Sequence, residues 1–278
     1  MKISECYNCG SRQHTFYAEE NGFSLVKCDQ CGLLFVENRP DDREISQAHK
    51  QGKHVGVKEF DVTGRFRPSK IPQYLKVLEN LFKGDLGSKK TWLDIGCGHG
   101  EFMTAVQKYS SGKVTVKGTE PNVHKQESAI SRGLNVSYFD IESHEERYDV
   151  ISMLNVYSHL PDPPTFLRSV KKLLNPGGEL ILETGDAAGF SANDQPRPFC
   201  LPDHLSFASE DILIGILARL DFEILRINKY SFMQFDLNSM ARELVKAILP
   251  QYKSRIGYYL KWKMYAQTDM FIRARIKS

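Results

Sequence analysis

Two apolar periodicities divide this chain. From about Gln73 onward, short apolar runs alternate with stretches of helical spacing. Tyr74, Leu75, Val77, Leu78 and Leu81 repeat at three- and four-residue intervals and predict a helix. Thr91–Ile95 is a short apolar run that passes straight into Gly96-Cys97-Gly98-His99-Gly100, and Phe102, Met103, Ala105 and Val106 then resume a helical pattern. Further strands are expected at Val114–Thr119, Asn135–Phe139, Tyr148–Leu154, Glu179–Glu183 and Phe222–Ile227, with a closing strand at Met270–Ile276. Helices are expected at Asn122–Arg132, Pro161–Leu174 and across Asp236–Ala266, where Met240, Leu244, Ile248 and Leu249 suggest a buried face. Strands separated by helices imply a parallel sheet covered on both faces, so the fold class is α/β.

The first 37 residues read differently. Cys6-Tyr7-Asn8-Cys9-Gly10 and Cys28-Asp29-Gln30-Cys31-Gly32 are two matched turns with 18 residues between the pairs. Two-residue spacing lets both thiolates of a turn face one ion, and two such turns complete a tetrahedral four-thiolate site suited to zinc. A closed shell of Cys6, Cys9, Cys28 and Cys31 leaves no open position, which makes a structural role the expectation. The intervening residues predict a hairpin, Thr15–Glu19 and Phe23–Lys27, about Asn21-Gly22. Leu33–Val36 offers a third strand. Residues 38–72 hold charges, glycines and prolines without sustained period, and read as a linker, with some helix allowed, that wraps onto the next domain. Phe60, Arg65, Phe66 and Arg67 within it are candidates to cover a ligand, with surface packing as the leading alternative. The expected domains are therefore a zinc ribbon at 1–37, a cover segment at 38–72 and a larger domain at 73–278.

Composition narrows the class without naming it. The chain has 278 residues, 41% hydrophobic and 26% charged, with a formal net charge of +3. That excludes a disordered or collagen-like chain, and the near balance of charge announces no nucleic-acid binder. Ile212–Ala218 is far shorter than the roughly 20 apolar residues of a membrane span. Met1–Cys6 lacks the apolar core of a signal peptide, so the cytoplasm, with reduced cysteines, is the expected location.

Candidate chemistry gathers where the strands end. Ligands of such sheets bind beyond the carboxyl ends of the strands, and Asp94, Glu120, Asp140 and Asn155 stand at four successive ends. The loop reads Asp94-x-Gly96-x-Gly98-x-Gly100-Glu101, not the dinucleotide pattern, and its carboxylates oppose a pyrophosphate. They suit a cation. S-adenosylmethionine (SAM) carries a sulfonium and an ammonium and no phosphate, and Glu120 is placed to accept hydrogen bonds from ribose hydroxyls.

The stretch Leu93–Gly100 resembles the first motif of class I SAM-dependent methyltransferases. Gly118-Thr119-Glu120-Pro121 resembles their acidic second motif, and Asp149–Ile151 and Leu174–Leu180 their strand-four and strand-five motifs. This resemblance, over residues 73–228, implies a Rossmann-like seven-stranded sheet with an antiparallel last strand. It places Asp94, Gly96, Cys97 and Gly98 around the methionine moiety and Glu120 with Pro121 at the ribose. Asp140 would lie near the adenine and Asn155 in the pocket toward the methyl group. The four-cysteine module together with Pro202–Ser209 resembles a bacterial subgroup acting on sugars, sugar nucleotides and natural products, some of which methylate carbon. Two departures weaken the carbon-methylating reading: Ser206-Phe207 stands where that subgroup has two aromatics, and these 278 residues are not expected to hold its longer C-terminal domain. The resemblance also allows a homodimer, which many relatives form.

Methyl transfer to a hydroxyl or carbon acid needs a base. His204 is the first candidate, with Asp203 to orient its ring, and His159 the second. The alternatives are that His204 caps the helix after Ser209 or packs on Phe207, and that His159 merely starts the following helix. Cys97 is a small packing residue of its loop. Residues 251–278 carry seven basic residues (Lys253, Arg255, Lys261, Lys263, Arg273, Arg275, Lys277) against Asp269, interleaved with Tyr252, Tyr258, Tyr259, Trp262 and Tyr265. The leading reading is a methyltransferase for a small acceptor, a sugar or nucleotide-linked sugar, methylated on O, N or C. The competing reading is an RNA methyltransferase that uses the ribbon and basic tail. It is the weaker because the ribbon is not notably basic and the overall charge is nearly balanced.

Overall fold

The structure, a computed structural model, describes residues 1–195, 198–231, 244–248 and 268–277. The N-terminal strands β1 (His14–Glu20) and β2 (Phe23–Cys28) form a hairpin that turns at Asn21-Gly22, both with positive φ, and β3 (Leu34–Val36) pairs antiparallel with β2. The cover segment contains a helix and a short ladder. Asp41 and Glu44 close a reciprocal capping box on α1 (Asp42–Gln51), which ends at Gly52 in the left-handed conformation. A two-residue ladder, β4 (Lys53–His54) with β5 (Phe60–Asp61), follows.

The larger unit runs α2 (Lys70–Phe82), β6 (Thr91–Ile95), α3 (Glu101–Tyr109), β7 (Thr115–Thr119), α4 (Val123–Ile130), β8 (Val136–Ser137), β9 (Tyr148–Leu154), α5 (Pro163–Lys172) and β10 (Leu174–Gly185). It continues with β11 (Ser206–Phe207), α6 (Glu210–Arg219), β12 (Phe222–Tyr230) and β13 (Asp269–Ile276). Seven strands form one sheet in the order β12-β13-β10-β9-β6-β7-β8, in which β13 is antiparallel to both neighbours. This is the expected Rossmann-like α/β sheet. The expected third strand contracts to Val136–Ser137, and the fifth extends at both ends to twelve residues.

Strand alternation explains the two cores. Trp92, Val150, Ile181 and Phe271 face α2, α3 and α4, while Leu93, Ile151, Leu180, Leu182 and Ile272 face α5 and α6. The second core runs on without interruption into the N-terminal module, through Leu25, Leu33, Leu34 and Phe35. β11 also pairs with β3, so the small sheet has the order β1-β2-β3-β11 and takes a strand from the far side of β10. Burying this shared face offsets part of the chain entropy that so small a module could not offset alone.

Most of the expected helix at 236–266, including Met240 and Leu249, lies outside the described residues. Residues 244–248 are helical, but Leu244 and Ile248 are exposed rather than on a buried face. Of the basic tail, Lys253, Arg255, Lys261 and Lys263 and the interleaved aromatics also lie outside the described residues. Arg273 is bidentate to the buried Glu179 at 2.9 Å and lies over the Phe82 ring, and Arg275 pairs with Glu223. Both cations join strands of the sheet, Arg273 from a largely covered position and Arg275 on the surface. Among the described residues, no helix is long and apolar enough to cross a membrane.

Candidate active site

A cleft of about 800 Å³ opens at the carboxyl ends of β6, β7, β9 and β10. It is lined by Asp94, Gly96, Cys97, Gly98, Glu120, Pro121, Asp140, Asn155 and His159, all of them residues the sequence nominated. The glycine loop is built by left-handed backbone. Gly96 and Gly98 have φ of 67° and 56°. A Cβ on Gly96 would lie 2.5 Å from Val156, whereas one on Gly98 would meet no protein atom within 4 Å. Gly98 therefore leaves its backbone open on the cleft side, as close approach of a ligand requires.

The acidic residues are fixed before any ligand arrives. The amides of Gly98 and Asn122 donate to the two Glu120 oxygens at 2.8 and 2.9 Å. Asp94 is 2% exposed and accepts a 2.5 Å hydrogen bond from Ser152, whose oxygen accepts in turn from the Trp92 indole at 2.9 Å. Burial pushes the Asp94 carboxyl up to about 7, against the Ser152 hydrogen bond, and the nearby Glu120 adds to the rise. A buried carboxylate with one donor is a fitting partner for a ligand ammonium. Cys97 is buried, and burial raises its thiol well above the ordinary range, so it packs in the loop and is no nucleophile. Asn155 holds φ at 56°, a conformation asparagine tolerates, with its amide donating to the Glu183 carbonyl. Phe139 and Ile141 flank Asp140 at the far end of the cleft.

The histidines are arranged differently from the expectation. His159 lines the cleft at the end of a 3₁₀ turn, Tyr157–His159, with Nδ1 2.8 Å from the Asp203 carbonyl oxygen and 3.1 Å from its carboxylate. His204 is not among the cleft-lining residues. Its Nδ1 donates to the Phe199 carbonyl at 2.9 Å, its ring meets Phe207 edge-on, and it lies 4.7 Å from the His159 ring. Ser209 itself caps α6. Asp203 thus orients His159 and also approaches His54, at 3.0 Å, instead of orienting its neighbour His204. Burial opposes charge on His159, but the Asp203 carboxylate outweighs it and raises the imidazole; burial holds His204 down to about 4.

Several cleft residues were not nominated by the sequence. Asp42, Ile45, Ser46 and His49 present one face of α1 to the cleft, at positions i, i+3, i+4 and i+7. The signal was there, in Asp41-x-x-Glu44 and the following Gly52, but the short apolar content of the helix hid it. Glu183, at the end of β10, also lines the cleft, and burial followed by repulsion from Asp269 lifts its carboxyl to about 8.

The four nominated cysteines converge on one another. Cys6 and Cys31, and Cys9 and Cys28, have sulfurs 3.5 Å apart, and all four sulfurs lie within 4.8 Å of one another without a disulfide. Gly10 and Gly32 have φ of 75° and 76° and bond back to Cys6 and Cys28, so the two turns are geometric copies. Zinc–sulfur bonds of about 2.3 Å in a tetrahedron require similar separations, so the donor set fits zinc. Tyr7, between two of these cysteines, donates to Ser206 at 2.9 Å and touches the Tyr157 hydroxyl at 3.2 Å. Glu20 accepts the amides of Phe199 and Leu201. The ribbon therefore holds both segments that carry the His159–Asp203 pair.

Comparison with known proteins agrees with this geometry. Ubiquinone biosynthesis O-methyltransferase of Serratia proteamaculans (strain 568) is 29% identical over 137 residues, covering 47% of this chain and 57% of that protein. The enzyme of the same name from Actinobacillus pleuropneumoniae serotype 5b (strain L20) is 30% identical over 163 residues, covering 53% and 66%. Each shared region is thus less than two thirds of the relative. Among solved structures, the [4+2]-cyclase SpnF superposes with a TM-score of 0.53 at 18% identity, covering 77% of this chain and 83% of that one. Coclaurine N-methyltransferase gives 0.52 at 16%, covering 74% and 72%. These likenesses share the fold, and a cyclase among them shows that the fold alone does not fix the chemistry. The sequence does more: residues 64–227, over half the chain, match the Methyltransferase domain family, and the chain belongs to the class I SAM-dependent methyltransferases.

Proposed function

We propose that the chain methylates a hydroxyl of a small, anionic metabolite, most simply a sugar carrying a phosphate or nucleotide. When bound, SAM supplies an electrophilic methyl group. Asp94 holds its ammonium, Glu120 its ribose hydroxyls, and Gly96 and Gly98 admit the chain between them. Asp140 and Pro121 border the adenosine end, and Asn155 the methyl end. The observation that carries the acceptor chemistry is the His159–Asp203 pair, which lines the same cleft as Asp94. A hydroxyl must lose its proton as the oxygen–methyl bond forms, and a neutral amine needs no such base in the attacking step. His159 takes that proton, Asp203 holds the ring and offsets the charge, and His204 packs behind both. The names of the curated relatives, O-methyltransferases, support oxygen as the accepting atom.

Acceptor charge follows from the cover segment. Arg65, Arg67, Lys70 and Lys125 line the cleft, and none has an ion-pair partner among the described residues. Four cations without a close ion pair, beside a largely acidic cofactor site, suit a phosphate or diphosphate on the acceptor. The four cysteines hold a structural zinc in this reading, and the ribbon steadies the acceptor side of the cleft. The test is transfer of labelled methyl from SAM to a panel of sugar nucleotides, sugar phosphates, neutral sugars, catechols and RNA. Label in a phosphorylated sugar is the expected result. Label in the catechols or the neutral sugars alone would overturn the anionic-acceptor reading, and label in RNA would overturn the small-acceptor reading.

A further inference from the structure

Four imidazoles surround one buried carboxylate beside the cleft, more than proton transfer by His159 needs. They come from distant parts of the chain: His49 from α1, His54 from β4, His159 from the turn after β9, and Asp203 with His204 from the loop after β10. Ring centroids of His49 lie 5.7 Å from His54 and 6.2 Å from His159. One ligand atom each of His49, His159 and Asp203 falls within 4.8 Å of the other two. The proton-transfer reading uses His159 and Asp203 and leaves His49 unexplained. Its Nε2 is buried and finds no hydrogen-bond partner among the described residues, an arrangement that is unfavourable unless something binds there.

We propose that His49, His159 and Asp203 form a second metal site, for a first-row divalent transition ion such as zinc, cobalt or manganese, distinct from the four-cysteine site. Two imidazoles and a carboxylate are the donor set these ions accept, with positions left for water or an acceptor oxygen. Magnesium and calcium, which prefer oxygen ligands, are disfavoured by the two nitrogens. His54 has the supporting part: it is 2% exposed, stacks on Phe60 and brings Nε2 to 3.0 Å from the Asp203 carboxylate, where its charge or proton can act on that ligand. All three ligands line the cleft, so an ion there stands among the acceptor-side residues. An ion on His159 engages the nitrogen pair assigned above to the proton, so the loaded form transfers methyl more slowly. That consequence rests on the proposed function, whereas the binding itself does not.

The experiment is titration of the metal-stripped full chain with cobalt(II), followed by absorption. Cobalt on four thiolates gives an intense sulfur-to-metal charge-transfer band, whereas cobalt on nitrogen and oxygen gives only weak visible bands. The expected record has two equivalents, one with the thiolate band and one without it. His49→Ala and Asp203→Asn should each keep the thiolate equivalent, which reports that the chain is folded, and lose the other. His54→Ala should keep both and weaken the second by ~10–100-fold. Excess magnesium should compete with neither. A wild-type chain that takes up only the thiolate equivalent overturns the proposal, as does a second equivalent that survives in both His49→Ala and Asp203→Asn. Loss of the thiolate band with retention of the weak bands would instead refute the ribbon zinc and leave this site standing.

Discussion

Replacing Ser152 by alanine isolates the electrostatics of the cofactor site. Ser152 is fully buried, is not itself a cleft-lining residue, and donates to Asp94 at 2.5 Å while accepting from Trp92. Burial already lifts the Asp94 carboxyl to about 7, so near neutrality only about half of it is ionised. A hydrogen bond to a charged group contributes ~1.5–3 kcal/mol. At about 1.36 kcal/mol per pKa unit, Ser152→Ala should raise Asp94 by a further ~1–2 units. The ionised fraction at pH 7 then drops to between ~10% and ~1%. If the carboxylate holds the SAM ammonium, SAM affinity at pH 7 should fall ~5–50-fold, and the deficit should shrink to about twofold or less by pH 9. The linkage has a definite sign. A carboxyl whose folded pKa is raised makes the free protein lose stability as pH climbs from its ordinary 3.8 toward 7, because the folded state then binds more protons than the unfolded one. SAM should therefore raise the melting temperature more at pH 8 than at pH 5.5. Calorimetric titration with SAM between pH 6 and 9 reads the effect directly. The indole left without its acceptor will cost ~1–3 kcal/mol of stability in addition, visible in melting and separable from affinity. A SAM deficit that does not change with pH, or no deficit, would refute the assignment of Asp94.

Other outcomes follow from the same geometry. Glu120→Gln should weaken SAM binding by ~10–100-fold, because hydrogen bonds to a charged oxygen contribute ~1.5–3 kcal/mol each; equilibrium dialysis with labelled SAM checks it. His159→Ala should cut methyl transfer by at least ~100-fold with SAM affinity kept, while His204→Ala, off the cleft wall, should lose less than ~10-fold. Equal losses in the two variants would contradict the placing of His159, ahead of His204, as the base. With zinc on the four cysteines as proposed, Cys9→Ser should release it and, through Tyr7, Glu20 and the β3–β11 pairing, speed amide hydrogen exchange across residues 199–207. Faster exchange confined to residues 1–37 would show that the ribbon does not brace that loop.

Local features of the sequence determined a great deal of this protein. The cysteine turns, the glycine loop with Asp94, and Glu120 at the next strand end were legible because each depends on neighbours a few positions apart, and the sheet followed from its two periodicities. Strand Tyr148–Leu154 is found where the pattern placed it. What only the tertiary structure decided is the acceptor side. Whether His159 or His204 faces the cleft depends on which of them Asp203 meets, and that contact closes across 44 residues of chain. α1 was hidden because it carries too little apolar content to show a helical period; Ile45 is its one buried residue. The pairing of β11 with β3 has no sequence period at all, since a two-residue strand carries too few positions to show one. Spacing along the chain specifies which side chains can share a turn or a strand end. Long-range contacts, which form only once the apolar faces are buried together, decide which of those side chains share a site.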